Sequence, residues 1–377
     1  MSFVLSGIAF LVLLTLLVIV HELGHYLAAK WSKVNVEEFG FGIPPRVKRL
    51  FTYRGTLFSL NAIPFGGFVR LQGENSLDPD ERDNPGSFAA APIPARLFIL
   101  VAGVCMNVLV AFCIFTVGFW LYQWVPTYLT YEDLQGGDTR GEVEVSWGVV
   151  VKEVLPESPA AAARVEPGGV IVAVDGTSVT TVEEILAIQE GKASVTYMLK
   201  YPSDESPLEE VEAVTKSVTL QDGKAGIVLA PFAASIEGVN HSFLEGAIIA
   251  LRETTTVTVG TIRGVGVLVR SLTLEQKVPD DIAGIVGIAE LTHTSLQQGF
   301  MKYLRLVGLL SLSLAVLNIL PFPALDGGRV IFVLYELFAR RPMNRRVEVI
   351  TNGIGIALIM VLMLIVTWND ILRLLAS

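Results

Sequence analysis

Four stretches of this chain contain no Asp, Glu, Lys, Arg or His, and each approaches or exceeds the length that crosses a bilayer as a helix. They run Phe3–Val20, Leu97–Tyr131, Leu306–Leu325 and Val349–Asn369. Such runs leave few options, because a lipid-exposed backbone must satisfy its own hydrogen bonds and so folds as a helix or a closed barrel. Only 17% of the residues are charged, against about a quarter in soluble domains, which excludes an ordinary soluble enzyme. The first run is not expected to be a cleavable signal peptide: no Lys or Arg precedes it, and it continues into charged sequence at His21. The net charge is −9 and no long Lys/Arg run exists, so nucleic acid is not an expected partner. The two cysteines, Cys105 and Cys113, share one apolar run; they build neither a disulfide framework nor a zinc site and read as small core residues.

Orientation follows from the basic residues. Lys30, Lys33, Arg46, Lys48, Arg49, Arg54, Arg70, Arg82 and Arg96 follow the first span, and Arg340, Arg341, Arg345 and Arg346 separate the last two. Positive loops stay in the cytoplasm, so both chain ends are expected outside. Residues 125–302 then form an external portion, and it is acidic, as that placement requires. Within it, residues 143–232 read as a small soluble domain. Short β-rich runs (Gly148–Val154, Val170–Val174, Ser194–Tyr201, Thr215–Leu220 and Gly226–Leu229) alternate with turn signals, and Val182–Glu190 has helical spacing. Within residues 240–302, the residues Phe243–Leu274 are apolar but interrupted by Glu245, Arg252, Glu253, Arg263 and Arg270. They read as amphipathic helices on the membrane surface and not as a fifth span.

The chemistry is concentrated in His21-Glu22-Leu23-Gly24-His25. On a helix this H-E-x-x-H pattern puts both imidazoles on one face, able to share a metal ion, with the glutamate beside them as general base. An ionisable residue inside an apolar span costs several kcal/mol, so two His and one Glu there mark function and not decoration. A catalytic zinc needs a third protein ligand, and the expected one is Asp326, in Asn318-Ile319-Leu320-Pro321-Phe322-Pro323-Ala324-Leu325-Asp326-Gly327-Gly328. Pro321 and Pro323 break the helix and Gly327-Gly328 permits a sharp turn. The depths agree: at 1.5 Å per residue His21 lies ~27 Å along its span from Phe3, and Asp326 ~30 Å from Leu306. Both spans run the same way, so the site is expected near the cytoplasmic face. One Zn²⁺ with two neutral histidines, Asp326 and ionised Glu22 sums to zero charge, which makes the set cheap to bury. Zinc would activate a water whose proton Glu22 accepts. Asn318 either donates a hydrogen bond to substrate or bonds a neighbouring helix. Asn107 either lines the same cavity or bonds between helices. His241 and His293 fit no ligand spacing and read as surface residues.

These residues resemble the site-2 protease family of intramembrane zinc metalloproteases, in the bacterial branch of the regulator of sigma-E protease type. H-E-L-G-H in the first span, N-x-x-P-x-P-x-L-D-G-G in the third and an intervening external domain match it in order and spacing. The resemblance implies that His21, His25 and Asp326 ligate one zinc per chain, that Glu22 is the catalytic acid/base and that Asn318 contacts substrate. The external domain is similar to a PDZ module in Ser158-Pro159-Ala160-Ala161, Val165-Glu166-Pro167-Gly168-Gly169-Val170-Ile171 and Val174-Asp175-Gly176. It departs in two places: Arg164 stands where the usual run has Gly, and Gly169 where it has Asp. Phe39–Leu71 carries hairpin punctuation at Gly40, Gly42, Pro44-Pro45, Arg54-Gly55 and Pro64-Phe65-Gly66-Gly67. The family is similar in using a membrane-associated β-hairpin there to hold substrate extended, which places Gly66, Gly67 and Phe68 in a substrate-binding role.

The expected architecture is a polytopic α-helical membrane protein. Its parts are transmembrane helix 1 (1–30), a membrane-associated β-hairpin region (31–96), transmembrane helix 2 (97–124), one extracytoplasmic PDZ-like α+β domain (143–232), amphipathic surface helices (240–302), and transmembrane helices 3 (303–328) and 4 (349–369). The expected function is intramembrane zinc endopeptidase of a bacterial inner membrane, cutting single-span membrane proteins such as anti-sigma factors or remnant signal peptides in regulated intramembrane proteolysis. Membrane lipid and a peptide C-terminus at the PDZ-like domain are further expected partners. Two rivals are a catalytically idle PDZ-type scaffold, which would need neither base nor metal, and a zinc transporter, which would need repeats and a pathway not evident here.

Overall fold

The structure, a computed structural model, describes residues 3–74, 84–202, 208, 210–275, 277–279, 282–341 and 343–376. Arg82, counted above among the basic residues, lies outside them. In chain order the elements are α1 (Phe3–Trp31), β1 (Val36–Tyr53), β2 (Thr56–Leu71), α2 (Ile93–Leu121), α3 (Tyr131–Thr139), β3 (Val143–Val154) and α4 (Pro159–Ala162). Next come β4 (Val170–Val174), β5 (Thr177–Ser178), α5 (Val182–Gln189), β6 (Ser194–Lys200), β7 (Val214–Thr219) and β8 (Ile227–Gly238). The last are α6 (Phe243–Arg270), a π-helical turn (Ser271–Glu275), α7 (Ile285–Gln297), α8 (Phe300–Ile319), α9 (Asp326–Ala339) and α10 (Arg345–Ala376). The chain divides into two compact units: Met1–Tyr122, Thr127–Leu129 and Asn240–Ser377 form one, Gln123–Pro126 and Thr130–Val239 the other.

The first unit is a helical membrane body. Five helical segments among the described residues, not the expected four, are long and apolar enough to cross a membrane: Ser6–Trp31, Ile93–Leu121, Phe243–Glu275, Phe300–Ile319 and Arg345–Leu375. The extra one contains α6, the least apolar of the five. Glu253, one of the residues that interrupts it, is fully buried and internally satisfied. It accepts hydrogen bonds from the Thr127 backbone N–H (2.7 Å) and hydroxyl (2.8 Å), and Arg305 stands 3.6 Å away. Two smaller expectations also need correction. Cys105 and Cys113 are exposed on the outer face of α2 and not in the core. His293 is half-buried, and its Nδ1 shares a 2.6 Å hydrogen bond with Ser6 of α1.

The hairpin expected after the first span is present, and it folds back on itself. Residues 36–41 of β1 pair on one side with the end of β2 (Phe39 opposite Val69, Gly40 opposite Phe68) and on the other with its beginning (Phe39 opposite Phe58, Gly40 opposite Ser59). Val36, Phe39 and Leu71 are buried against Tyr26, Ala29, Ile99 and Leu100 of α1 and α2. Glu38 pins the fold: 2% exposed, it is paired with Arg46, accepts from the Ser59 hydroxyl at 2.6 Å and lies 3.5 Å from Arg70.

The second unit is an antiparallel sheet in the order β7-β6-β4-β3-β8, with β5 beside β4. Its core comprises Val149, Val151, Ile171, Val174, Ile185, Tyr197 and Leu199 with their neighbours. α5 begins in a capping box between Thr181 and Glu184, the reciprocal pairing that fixes a helix start. The two positions noted above as departing from the resembled pattern, Arg164 and Gly169, have local explanations. Arg164 adopts φ +56°, the left-handed conformation that glycine takes without cost. A Cβ at Gly169 would lie 2.8 Å from the ring of Tyr201, so the usual Asp does not fit beside that tyrosine.

Burial favours a neutral Glu38, but the hydrogen bonds from Arg46 and Ser59 and the charges of Arg46 and Arg70 outweigh it and hold the carboxyl below its ordinary range. The stabilisation is therefore present at neutral pH and lost as pH falls through that depressed value. Glu38→Gln should cost about 1–3 kcal/mol in hairpin stability. Hydrogen exchange of residues 36–71 in the full chain should accelerate roughly tenfold, with residues 143–238 unchanged; equal protection in both proteins would remove Glu38 as the pin.

Candidate active site

The site begins with two helices in unusually close contact. A Cβ on Gly24 of α1 would stand 2.3 Å from the Ala102 carbonyl oxygen of α2, and one on Gly103 would stand 2.5 Å from His25 Nε2 and 2.8 Å from His21 Cε1. Only glycine permits either approach, and the room at Gly103 is what the two imidazoles occupy. His21 and His25, one turn apart, are 6% and 9% exposed and meet edge to face. The His25 Nδ1–H donates to the Ile99 carbonyl at 2.8 Å, which turns its Nε2 lone pair inward.

The third member arrives where α8 stops. After Ile319 the chain passes through Pro321 and Pro323, which cannot continue a helix, and α9 starts at Asp326. Ala324 sits at φ +77°, a strained conformation for alanine, and its N–H donates to Asn352 of α10 at 3.2 Å. A Cβ on Gly327 would lie 2.2 Å from the carbonyl oxygens of Ile319 and Leu320, so the turn closes only around glycine. The result is convergence: Asp326 Oδ2 lies 2.9 Å from His21 Nε2 and 3.3 Å from His25 Nε2, and the two Nε2 atoms are 3.1 Å apart.

That triangle fits a metal ion. Bonds of 2.0–2.1 Å to a tetrahedral zinc put its ligands about 3.3 Å apart, close to all three separations. Without a cation, two imidazole lone pairs and a carboxylate would face one another out of water, an arrangement proteins avoid. His21, His25 and Asp326 are the one group among the described residues whose ligand atoms converge in this way. His21 Nδ1 is buried with no hydrogen-bond partner.

Beside the triangle lies a cavity of about 340 Å³ lined by Glu22, His25, Asp326, Phe68, Arg329 and Glu74, among others. Of the other residues expected at the site, Asn318 is there: its Nδ2 is 3.3 Å from His21 Nε2. Phe68 lines the cavity, and Gly67 is next to it, since a Cβ there would lie 3.8 Å from Glu22 Cγ. Gly66 packs under Ile43 and lies outside the cavity lining. Asn107 is also outside it; fully buried, its backbone carbonyl accepts from Ser311 at 3.0 Å while its amide has no partner. Sequence reasoning missed Gly103, Arg329 and Glu74. Arg329, three residues after Asp326, is ion-paired with Glu74 at the end of the hairpin, and Arg345 donates to the Glu74 carbonyl. For Arg329 the only available signal was a basic residue directly after the Asp-Gly-Gly run; nothing in the sequence singled out Glu74 or Gly103.

A multi-pass membrane body carrying an H-E-x-x-H helix, a converging carboxylate and a neighbouring cavity defines a membrane metalloprotease. The chain belongs to peptidase family M50, the site-2 protease family, whose signature matches residues 9–362. It is similar to proteins that carry the name zinc metalloprotease: one of Agrobacterium fabrum, 30% identical over 97% of this chain and 95% of that one, and one of Brucella suis, 29% identical over 97% and 94%. A third, of Clostridium acetobutylicum, is 27% identical over 94% of each. The protein is thus a zinc metalloprotease, and zinc is its cofactor.

Gly103→Ala places a methyl group where the imidazoles meet. It should lower bound zinc at least tenfold while helical content stays at the parental level; parental zinc content in the variant would mean that Gly103 does not shape the donor set.

Proposed function

We propose that this protein hydrolyses peptide bonds in or near the transmembrane segment of single-span membrane proteins, with His21, His25 and Asp326 as zinc ligands and Glu22 as general base. The convergence of three donors on one point next to Glu22, inside a membrane body, is the observation that carries the reading. Bound there, Zn²⁺ supplies Lewis acidity, polarising a carbonyl and lowering the pKa of water. Glu22 accepts the proton of the attacking water and returns it to the departing amide nitrogen. In this reading the Asn318 amide, 3.3 Å from His21 Nε2, donates to substrate backbone.

A membrane substrate arrives as a helix whose carbonyls are already hydrogen-bonded. The end of β2, Gly67–Leu71, pairs with β1 on one side only among the described strands and borders the cavity, so its other edge can take a peptide by strand addition. In this reading Gly67 and Phe68 contact substrate directly, Gly66 shapes the bend before them, and Asn107 bonds between helices through Ser311.

We also favour four crossing helices, with α6 on the outer surface, and read the second unit as an extracytoplasmic PDZ-like module open to a peptide C-terminus. Gly246 at the start of α6 packs against Thr116 and Trp120 in the last turns of α2. Glu253 holds Thr127, and Gly260 lies beside Leu129. Over ~21 Å of helix the partners of α6 thus move past the end of α2 instead of back along it, which supports a helix lying across the bundle end. The basic loops then face the cytoplasm of a bacterial inner membrane.

Glu22→Gln should keep about one zinc per chain and lose at least 100-fold in cleavage of a tagged single-span helical substrate in detergent. Asp326→Asn should lose zinc and cleavage together. Full cleavage by Glu22→Gln would remove the proposed base, and parental zinc in Asp326→Asn would remove the third ligand.

A further inference from the structure

The hairpin has a charge pattern that peptide hydrolysis does not use. Between Phe39 and Leu71 stand five basic residues, Arg46, Lys48, Arg49, Arg54 and Arg70, and no acidic one, in a chain of net charge −9. Glu38 engages Arg46 and Arg70. Lys48, Arg49 and Arg54 are exposed and have no carboxylate partner among the described residues. The residues between them are apolar and equally open: Val47 is 67% exposed and Phe51 56%, while Trp31, which ends α1, is 83% exposed.

Two hydrogen bonds fix where this end of the hairpin lies along α1. Lys30 Nζ donates to the Arg54 carbonyl at the turn (2.9 Å), and Thr15 Oγ1 donates to the Pro64 carbonyl at the opposite bend (3.3 Å). Fifteen residues of helix, ~22 Å, separate those two levels. The Pro64 end, with no charge from Gly55 to Val69, lies against the apolar middle of α1. The turn lies where α1 leaves the hydrocarbon, at Lys30 and Trp31. Trp, Tyr, Lys and Arg gathered at the end of a membrane helix have the composition of the headgroup layer. A soluble polyanion would match the charges and leave Val47, Leu50 and Phe51 in water; an anionic bilayer surface takes up both.

We propose that the turn end of the hairpin binds anionic phospholipid headgroups, through Lys30, Lys48, Arg49 and Arg54, with Trp31 and Tyr53 as interfacial anchors. Seating this end against the lipid surface sets the position of the whole hairpin, including the strand end Gly67–Leu71 beside Glu22. Each basic side chain near such a surface strengthens attachment about fivefold, so removing three should weaken it roughly 100-fold.

The test uses the full chain with Cys105→Ala and Cys113→Ala, and Val47→Cys carrying an environment-sensitive fluorophore, in nanodiscs of phosphatidylcholine with increasing phosphatidylglycerol. The emission should shift to the blue as phosphatidylglycerol rises, and less so at high salt. Lys48→Gln/Arg49→Gln/Arg54→Gln should abolish the shift, whereas Lys48→Arg/Arg49→Lys/Arg54→Lys should retain it; parental zinc content in both shows that they are folded. Emission indifferent to phosphatidylglycerol, or a triple Gln variant that responds like its parent, would overturn the proposal. So would a shift produced by heparin in detergent and not by phosphatidylglycerol, which would assign the surface to a soluble partner. Since the readout is a lipid response, it stands or falls independently of peptide cleavage.

Discussion

Gly24 of α1 lies against the Ala102 carbonyl, and Gly103 of α2 lies under the imidazoles of His21 and His25. The rest of the membrane body depends on that approach. With any larger side chain at either position the helices would separate by ångströms, the Ile99 carbonyl would no longer reach His25, and the two nitrogens would lose their common focus. Helix association in lipid has no hydrophobic drive of its own, so it relies on close packing of this kind. Two absent side chains thus create both the contact and the room for the donor set.

Charge is handled by the same economy. In the proposed site two neutral imidazoles, Asp326, Glu22 and a divalent cation would sum to zero, and the next layer is again neutral, with Arg329 against Glu74. Each layer taken alone would be costly at this depth; nested, they leave no net charge for the apolar surroundings to carry. Arg345 extends the arrangement to α10 through the Glu74 carbonyl. The strand that borders the cavity, the helix that starts at Asp326 and the last helix of the chain are therefore joined through one residue, Glu74.

Much of this was legible in the sequence because the relevant signals are local. His21, Glu22 and His25 share a helical face by spacing alone. Pro321, Pro323 and the Gly327-Gly328 pair announce a broken helix, and Arg54-Gly55 marks the turn between β1 and β2. What was not legible depends on partners distant in sequence. α9 was missed because the turn after Asp326 was read as an end and not as the start of another helix. The surroundings of α6 were silent because nothing local shows that Glu253 meets Thr127 and Arg305. Gly103 was silent for the same reason: a glycine among apolar residues means nothing until the histidines it faces are known.

The donor set is split between the two ends of the chain. His21 and His25 lie in the first helix, and Asp326 comes 301 residues after His25. A ribosome adding about 5–20 residues per second needs about 15–60 s to cover that distance. During that interval the nascent chain already carries its H-E-x-x-H helix in the membrane but lacks the carboxylate that completes the site. With the donor set proposed above, the order of synthesis is a safeguard: the peptidase stays incomplete until residue 326 has been made.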